Sequence, residues 1–259
     1  MPTEIITALL GLIGVIVGAV PTYLFMRQKN IAEVEKLKAE TDKIKAEAEK
    51  IRAELRSEKV TTDLKIRILF VAANPISTTR LRLDEEVRGI RESLRKSSKG
   101  NMFELDQLWS VRWDDLRSHL LRHTPDILHI AGHGTEKGIV LEDEKGDAYV
   151  VSAETLNSLL TLFSDKIRLV VINTTYSAGM CKALAQSVDF AIGSGGPLND
   201  KTASKFSVAL YEALADGKDI KAAFEFARAS IEDKDFIEQA RYQLFTFRRR
   251  PEEYRLIQQ

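Results

Sequence analysis

Three stretches of this chain are apolar at almost every successive position and have the length of a strand. They are Ile66–Ala73 (IRILFVAA), Asp126–Ala131 (DILHIA) and Ile167–Asn173 (IRLVVIN). A strand of that kind has no polar face, so both faces need cover, which a mostly parallel sheet with helices on each side supplies. Segments with helical spacing lie around them: Leu81–Ser97, Trp113–His123, Ala153–Phe163 and Ala178–Ser187. Strand and helix in alternation imply βαβ units, and with them an α/β fold. Phe103–Val111 and Asp189–Gly193 read as further strands and Tyr242–Phe247 as a last one, while Lys201–Ala215 and Ile220–Ile231 read as helices. Ile139–Glu142 and Ala148–Val151, joined through Glu144-Lys145-Gly146-Asp147, read as a hairpin.

The residues before 61 follow different physics. Ile5–Met26 is 22 residues without a charge. As a helix it spans about 33 Å, enough for a hydrocarbon core of about 30 Å. A signal peptide would want positive charge ahead of the run, and only Glu4 precedes it. Arg27 and Lys29 follow the run. The positive-inside bias therefore sets the N-terminus outside and the rest of the chain in the cytoplasm. The expectation is a single-pass anchor over residues 1–29 in the cytoplasmic membrane, with lipid as its partner. Gly14 and Gly18 form a small-residue face on which two such helices can approach.

Over residues 30–60, Lys and Glu alternate without Pro or Gly. Val34, Leu37, Thr41, Ile44, Ala48, Ile51 and Leu55 follow each other at steps of three and four. That is a heptad seam, and it predicts a coiled-coil stalk of about 45 Å. Thr41 and Ala48 weaken the seam, but confinement to a membrane raises the effective concentration of the chains. Self-association through residues 14–18 and 34–55 is the expectation. Residues 61–259 form the α/β domain.

Composition removes other classes. The single cysteine excludes a disulfide framework and argues against a structural zinc site. Lys and Arg number 38, as do Asp and Glu. Residues 1–60 carry 10 positive and 9 negative charges, and the remainder 28 and 29. Neither part has the basic excess of a nucleic-acid binder. No cofactor or metal is expected.

In a parallel sheet, sites form at the carboxyl ends of strands. The third strand ends in Gly132-His133-Gly134, the fourth in Asn173-Thr174-Thr175-Tyr176-Ser177. His119 and His123 share one side of a charged helix and read as surface residues without acidic partners. His129 reads as a hydrogen-bonded core residue. The loop Gly193–Asp200 can border a substrate cleft with Ser194 and Asp200. Asp200 is also the preferred N-cap of the next helix.

The stretch from about Ile66 to about Ile231 resembles the CHAT domain, a branch of the caspase-like cysteine peptidases. The resemblance is carried by FVAANP, TTRLRLDEEVRGIRESL, WSVRWDDLRSHLLRHTPDILHIAGHGTEKGIVLED, VVIN with TYS, and FSVALYEALADGKDIKAAFEFARASI. It implies that His133 is the catalytic histidine. It also implies that position 175 is that of the nucleophilic cysteine, here Thr175, with oxyanion donors from residue 175 and the Gly134 region. In several caspase-like relatives an acidic side chain two positions before the cysteine selects basic P1 residues. Here that position is Asn173, so no acidic selector is expected.

An internal threonine hydroxyl is a poor nucleophile, far less acidic than a thiol. Cys181, six residues on, is about 9 Å of helical rise away and reads as a buried helix residue. The expected function is a membrane-anchored caspase-like protein of a prokaryotic signalling, defence or cell-death system, its peptidase site inactive as written. The alternatives are a pseudoprotease scaffold acting on an unknown protein partner, or a membrane-disrupting effector clustered by this domain.

Overall fold

The computed structural model describes residues 43, 45–47, 49, 50, 65–231 and 236–257. The chain divides into two compact units, Met1–Asp63 and Leu64–Gln259. The described residues of the first unit are helical and exposed. The apolar run Ile5–Met26, the Gly14–Gly18 pair and the seam positions from Val34 to Leu55 lie outside the described residues. Among the described residues no helix is long and apolar enough to cross a membrane.

In the second unit the apolar runs become the middle of a sheet. β1 (Ile66–Ala72), β3 (Ile127–Ala131) and β7 (Leu169–Asn173) lie side by side and parallel. β2 (Phe103–Trp109) adds in parallel outside β1, and β8 (Phe190–Ser194) in parallel outside β7. β9 (Tyr242–Phe245) closes the row antiparallel to β8. The six-stranded order is β2-β1-β3-β7-β8-β9. The expected hairpin is present as β5 (Gly138–Glu142) and β6 (Ala148–Ser152), and it forms a small antiparallel sheet with β4 (Gly134–Thr135), a two-residue strand the pattern did not announce.

Both faces of the large sheet are covered. On one side Ile66, Ile68 and Phe70 pack with α1 (Leu83–Lys96), α5 (Asp200–Ala215) and α6 (Ile220–Ala229). On the other, Leu69 and Val71 pack with α2 (Trp113–Arg122), α3 (Ala153–Thr161) and α4 (Ala178–Leu184). A short helix, α7 (Phe236–Arg241), leads into β9. Each fully buried Leu, Ile or Phe of these layers contributes about 1.5–3 kcal/mol by leaving water. Local chemistry sets the helix starts. Ser152, Asn199 and Asp219 each accept a backbone N–H from the first turn of α3, α5 and α6.

Candidate active site

Two neighbouring strand ends build the site. β3 stops at Ala131, and Gly132 follows with φ 149°. A Cβ on Gly132 would stand 2.7 Å from the Ala73 carbonyl oxygen, so only glycine lets the chain turn this close to the end of β1. The turn presents His133, which is half-buried. Its Nε2 lies 2.7 Å from the carbonyl oxygen of Thr79. A carbonyl can only accept, so Nε2 carries a proton and donates it. Thr79 belongs to the loop 74–82, which Asn74 fastens. The Leu81 N–H donates to Asn74 Oδ1 (3.1 Å), Asn74 Nδ2 donates to the Leu81 carbonyl (3.0 Å), and the Asn74 N–H donates to Glu142 Oε1 (3.1 Å).

β7 stops at Asn173 and the chain turns through Thr174, Thr175 and Tyr176. Tyr176 sits in the left-handed region, φ 57°. Ser177 pins this turn: its hydroxyl lies 2.8 Å from the Ile172 carbonyl and 2.9 Å from that of Thr174, and it accepts the Ser194 N–H at 2.9 Å. The Thr175 hydroxyl donates to the Gly134 carbonyl at 2.8 Å. The two turns are in such close contact that a Cβ on Gly134 would stand 2.4 Å from both Thr174 Oγ1 and the Thr175 carbonyl oxygen. Thr174 Oγ1 is sealed there without a hydrogen-bond partner among the described residues.

A cavity of about 230 Å³ opens beside the turns, and His133, Asn173, Thr175, Asp200 and Glu86 are among the residues that line it. Glu86 belongs to the buried face of α1 and is 3% exposed. Its Oε1 accepts from Ser207 Oγ (2.7 Å) and Asn173 Nδ2 (2.8 Å), and lies 3.1 Å from His129 Nε2. Asn173 Nδ2 also donates to the Ala203 carbonyl, and Asn173 Oδ1 accepts from Tyr242 OH at 2.8 Å. His129 Nδ1 lies 3.1 Å from Tyr211 OH. Burial by itself would push the Glu86 carboxyl up. The contacts from His129, Ser207 and Asn173 outweigh it and hold the group below the usual carboxylate range.

The structure thus brings His133, Gly134, Asn173 and Thr175 together, with Asp200 at the same cavity. It corrects other expectations. Ser194 is sealed in the core and does not line the cavity; its hydroxyl donates to the Gly196 carbonyl at 2.9 Å. The N-cap of α5 is Asn199, whose side chain accepts the Thr202 N–H at 2.9 Å, which leaves Asp200 as the first helical residue. His119 is not a plain surface histidine. Its side chain is 16% exposed and Nε2 lies 3.4 Å from Asp106 Oδ2. Burial pushes its pKa down, against the pull of Asp106. Cys181 is fully buried under β8, its thiol 3.2 Å from the Ile192 carbonyl, and burial raises its pKa far above that of an ordinary thiol. Sequence reasoning missed Glu86. The available signal was a carboxylate on the Leu83–Val87–Ile90–Leu94 stripe of an amphipathic helix.

A histidine past one parallel strand and a nucleophile position past the next, on a six-stranded sheet covered on both faces, is the architecture of the caspase-like peptidases. Within that class the chain belongs to the CHAT domain family, whose profile matches residues 39–247. That match reaches back into residues expected to form the stalk. A probable protease of Gillisia limnaea is 26% identical over 181 residues, covering 65% of this chain and 32% of the relative. A Roc-COR-CHAT protease of an unknown prokaryotic organism is 27% identical over 184 residues, covering 68% of this chain and 17% of the relative. The chain therefore spans a third or less of the length of these two relatives. Among solved structures, the Arg-specific cysteine proteinase gingipain R superposes with a TM-score of 0.51 at 8% identity, covering 72% of this chain and 47% of that one. At that identity the likeness shows the fold alone.

Proposed function

We infer that this chain is a membrane-tethered CHAT protein whose peptidase centre is silent as written. The observation that carries the reading is the hydrogen bonding of the two candidate catalytic groups. The Thr175 hydroxyl donates to the Gly134 carbonyl and the His133 Nε2 proton goes to Thr79, so neither group holds the other. A hydroxyl nucleophile needs a base that accepts its proton, and the Thr175 hydroxyl gives its hydrogen bond to a carbonyl instead of to Nδ1 of the imidazole. A thiol at the same position needs less, because it ionises far more readily. The tether over residues 5–26, self-association through residues 14–18 and 34–55, and a place in prokaryotic signalling or defence belong to the same reading. They rest on the apolar run, the heptad and the family.

The test is the Thr175→Cys full chain on a broad peptide library, with Thr175→Cys/His133→Ala as control. Cleavage that appears with the first variant and vanishes with the second supports the reading. Cleavage by the chain as written, lost on His133→Ala, overturns the silence of the centre. No gain in Thr175→Cys overturns the peptidase geometry.

A further inference from the structure

The cavity beside Thr175 has an unusual floor. Among the described residues, every hydrogen bond to the Glu86 side chain goes to Oε1. Oε2 takes none. The sealed side-chain polar atoms that lack a partner are Thr174 Oγ1 and Thr202 Oγ1, and Oε2 is not one of them. Glu86 lines the cavity, and Oε2 is its oxygen left free to meet a ligand there. The three groups on Oε1 keep the carboxylate fixed and leave its second oxygen without a protein donor among the described residues.

The surroundings add to the negative field. Asp200 stands at the same cavity, freed from capping by Asn199. Arg82 also lines it, but its guanidinium is paired with Glu85. At about 230 Å³ the space is below the ~300–1,000 Å³ of drug-sized sites and suits one long side chain. It lies at the position where the side chain preceding a scissile bond would descend past residue 175, since Thr175, His133 and Asn173 are on its wall.

We propose that this cavity is a P1 pocket for arginine or lysine, with Glu86 as the residue that selects the cation. The selector position on β7 holds the amide of Asn173, and that amide is hydrogen-bonded to Glu86. The carboxylate is thus supplied by α1. This specificity rests on the peptidase-type cleft inferred above. A buried carboxylate meeting a guanidinium forms a charge-assisted pair, which favours the charged side chain over its neutral isostere by about 10- to 100-fold.

Two peptides that differ only in P1, arginine or citrulline, test this, since citrulline keeps the shape and removes the charge. Binding to the full chain as written is measured by fluorescence anisotropy, and cleavage by Thr175→Cys is measured in parallel. The expected result is at least a ~10-fold preference for arginine in both assays, collapsing toward unity in Glu86→Gln. Should Glu86→Gln fail to fold, the arginine-to-citrulline ratio of the two folded chains still decides. If Thr175→Cys cleaves the citrulline peptide as well as the arginine one, the peptidase reading stands and the P1 assignment falls. If Thr175→Cys cleaves neither, the peptidase reading falls and the P1 role with it, and the binding ratio then judges only whether Glu86 selects a cation in the pocket. A ratio near unity there overturns the assignment.

Discussion

Asn173→Asp tests the network beneath the cavity, because it replaces a donor by an acceptor at one buried point. Asn173 Nδ2 lies 2.8 Å from Glu86 Oε1. Aspartate would set two carboxylate oxygens at that distance. At an effective dielectric of about 20 their repulsion is about 6 kcal/mol. Keeping one carboxyl protonated at about pH 7 costs about 4 kcal/mol, from about three pH units above its unfolded pKa at about 1.4 kcal/mol each. Protonation is the cheaper escape, so the variant folds with an extra proton shared by the pair. The sign of the pH dependence follows. In the parent the Glu86 carboxyl is lowered, so its contribution is present above its unfolded pKa and is lost as pH falls through the folded value. In the variant the pair is raised, so stability is fullest below the unfolded pKa and is lost as pH rises. Between about pH 5 and about pH 7 the variant should lose about 1.4 kcal/mol per pH unit relative to the parent, reaching a deficit of about 4 kcal/mol. Urea unfolding followed by circular dichroism at several pH values measures this. A deficit under about 1 kcal/mol at pH 7, or a difference that does not grow with pH, would refute the reasoning.

Gly134→Ala forces a methyl to within 2.4 Å of Thr174 Oγ1 and the Thr175 carbonyl, so the two turns must part. Placed in a Thr175→Cys background it should abolish any regained cleavage while the far-ultraviolet spectrum stays native. Retained cleavage would show that the turns do not need their contact. Cys181 should resist a thiol reagent in the folded chain and react at once in denaturant, since it is fully buried and its thiol is held un-ionised. In Thr175→Cys one thiol, not two, should then label natively; prompt labelling of Cys181 in the parent would contradict its placement.

The parallel sheet was legible because its strands have no polar face. Ile66–Ala73, Asp126–Ala131 and Ile167–Asn173 overlap β1, β3 and β7, with ends differing by two residues at most. The pairing of strand ends that brings His133 to Thr175 follows from β3 lying beside β7. What stayed hidden depends on contacts between distant segments. Glu86 stands in a Leu-Asp-Glu-Glu first turn, where propensity and the helix dipole both favour acidic residues at a surface. Its burial comes from Ser207, 121 residues away, and Asn173, 87 away. Asn199 and Asp200 are both good capping residues side by side, and the position of the helix start, not composition, chose between them. β4 is two residues long and exists only because β5 offers an edge. The glycine-rich loop after the strand suggests a cleft position for Ser194, but Ser194 is the last residue of β8 and its hydroxyl turns back to Gly196.

Asn173 is the last residue of β7, and its side chain and backbone run to different ends of the site. The amide grips Glu86 and Tyr242, while two residues later the chain delivers position 175. Glu86 is therefore tied through one hydrogen bond to the strand tip that carries the chain into position 175. The strand tip thus anchors the buried network and sets the place of residue 175 together, so a substitution at Asn173 reaches both.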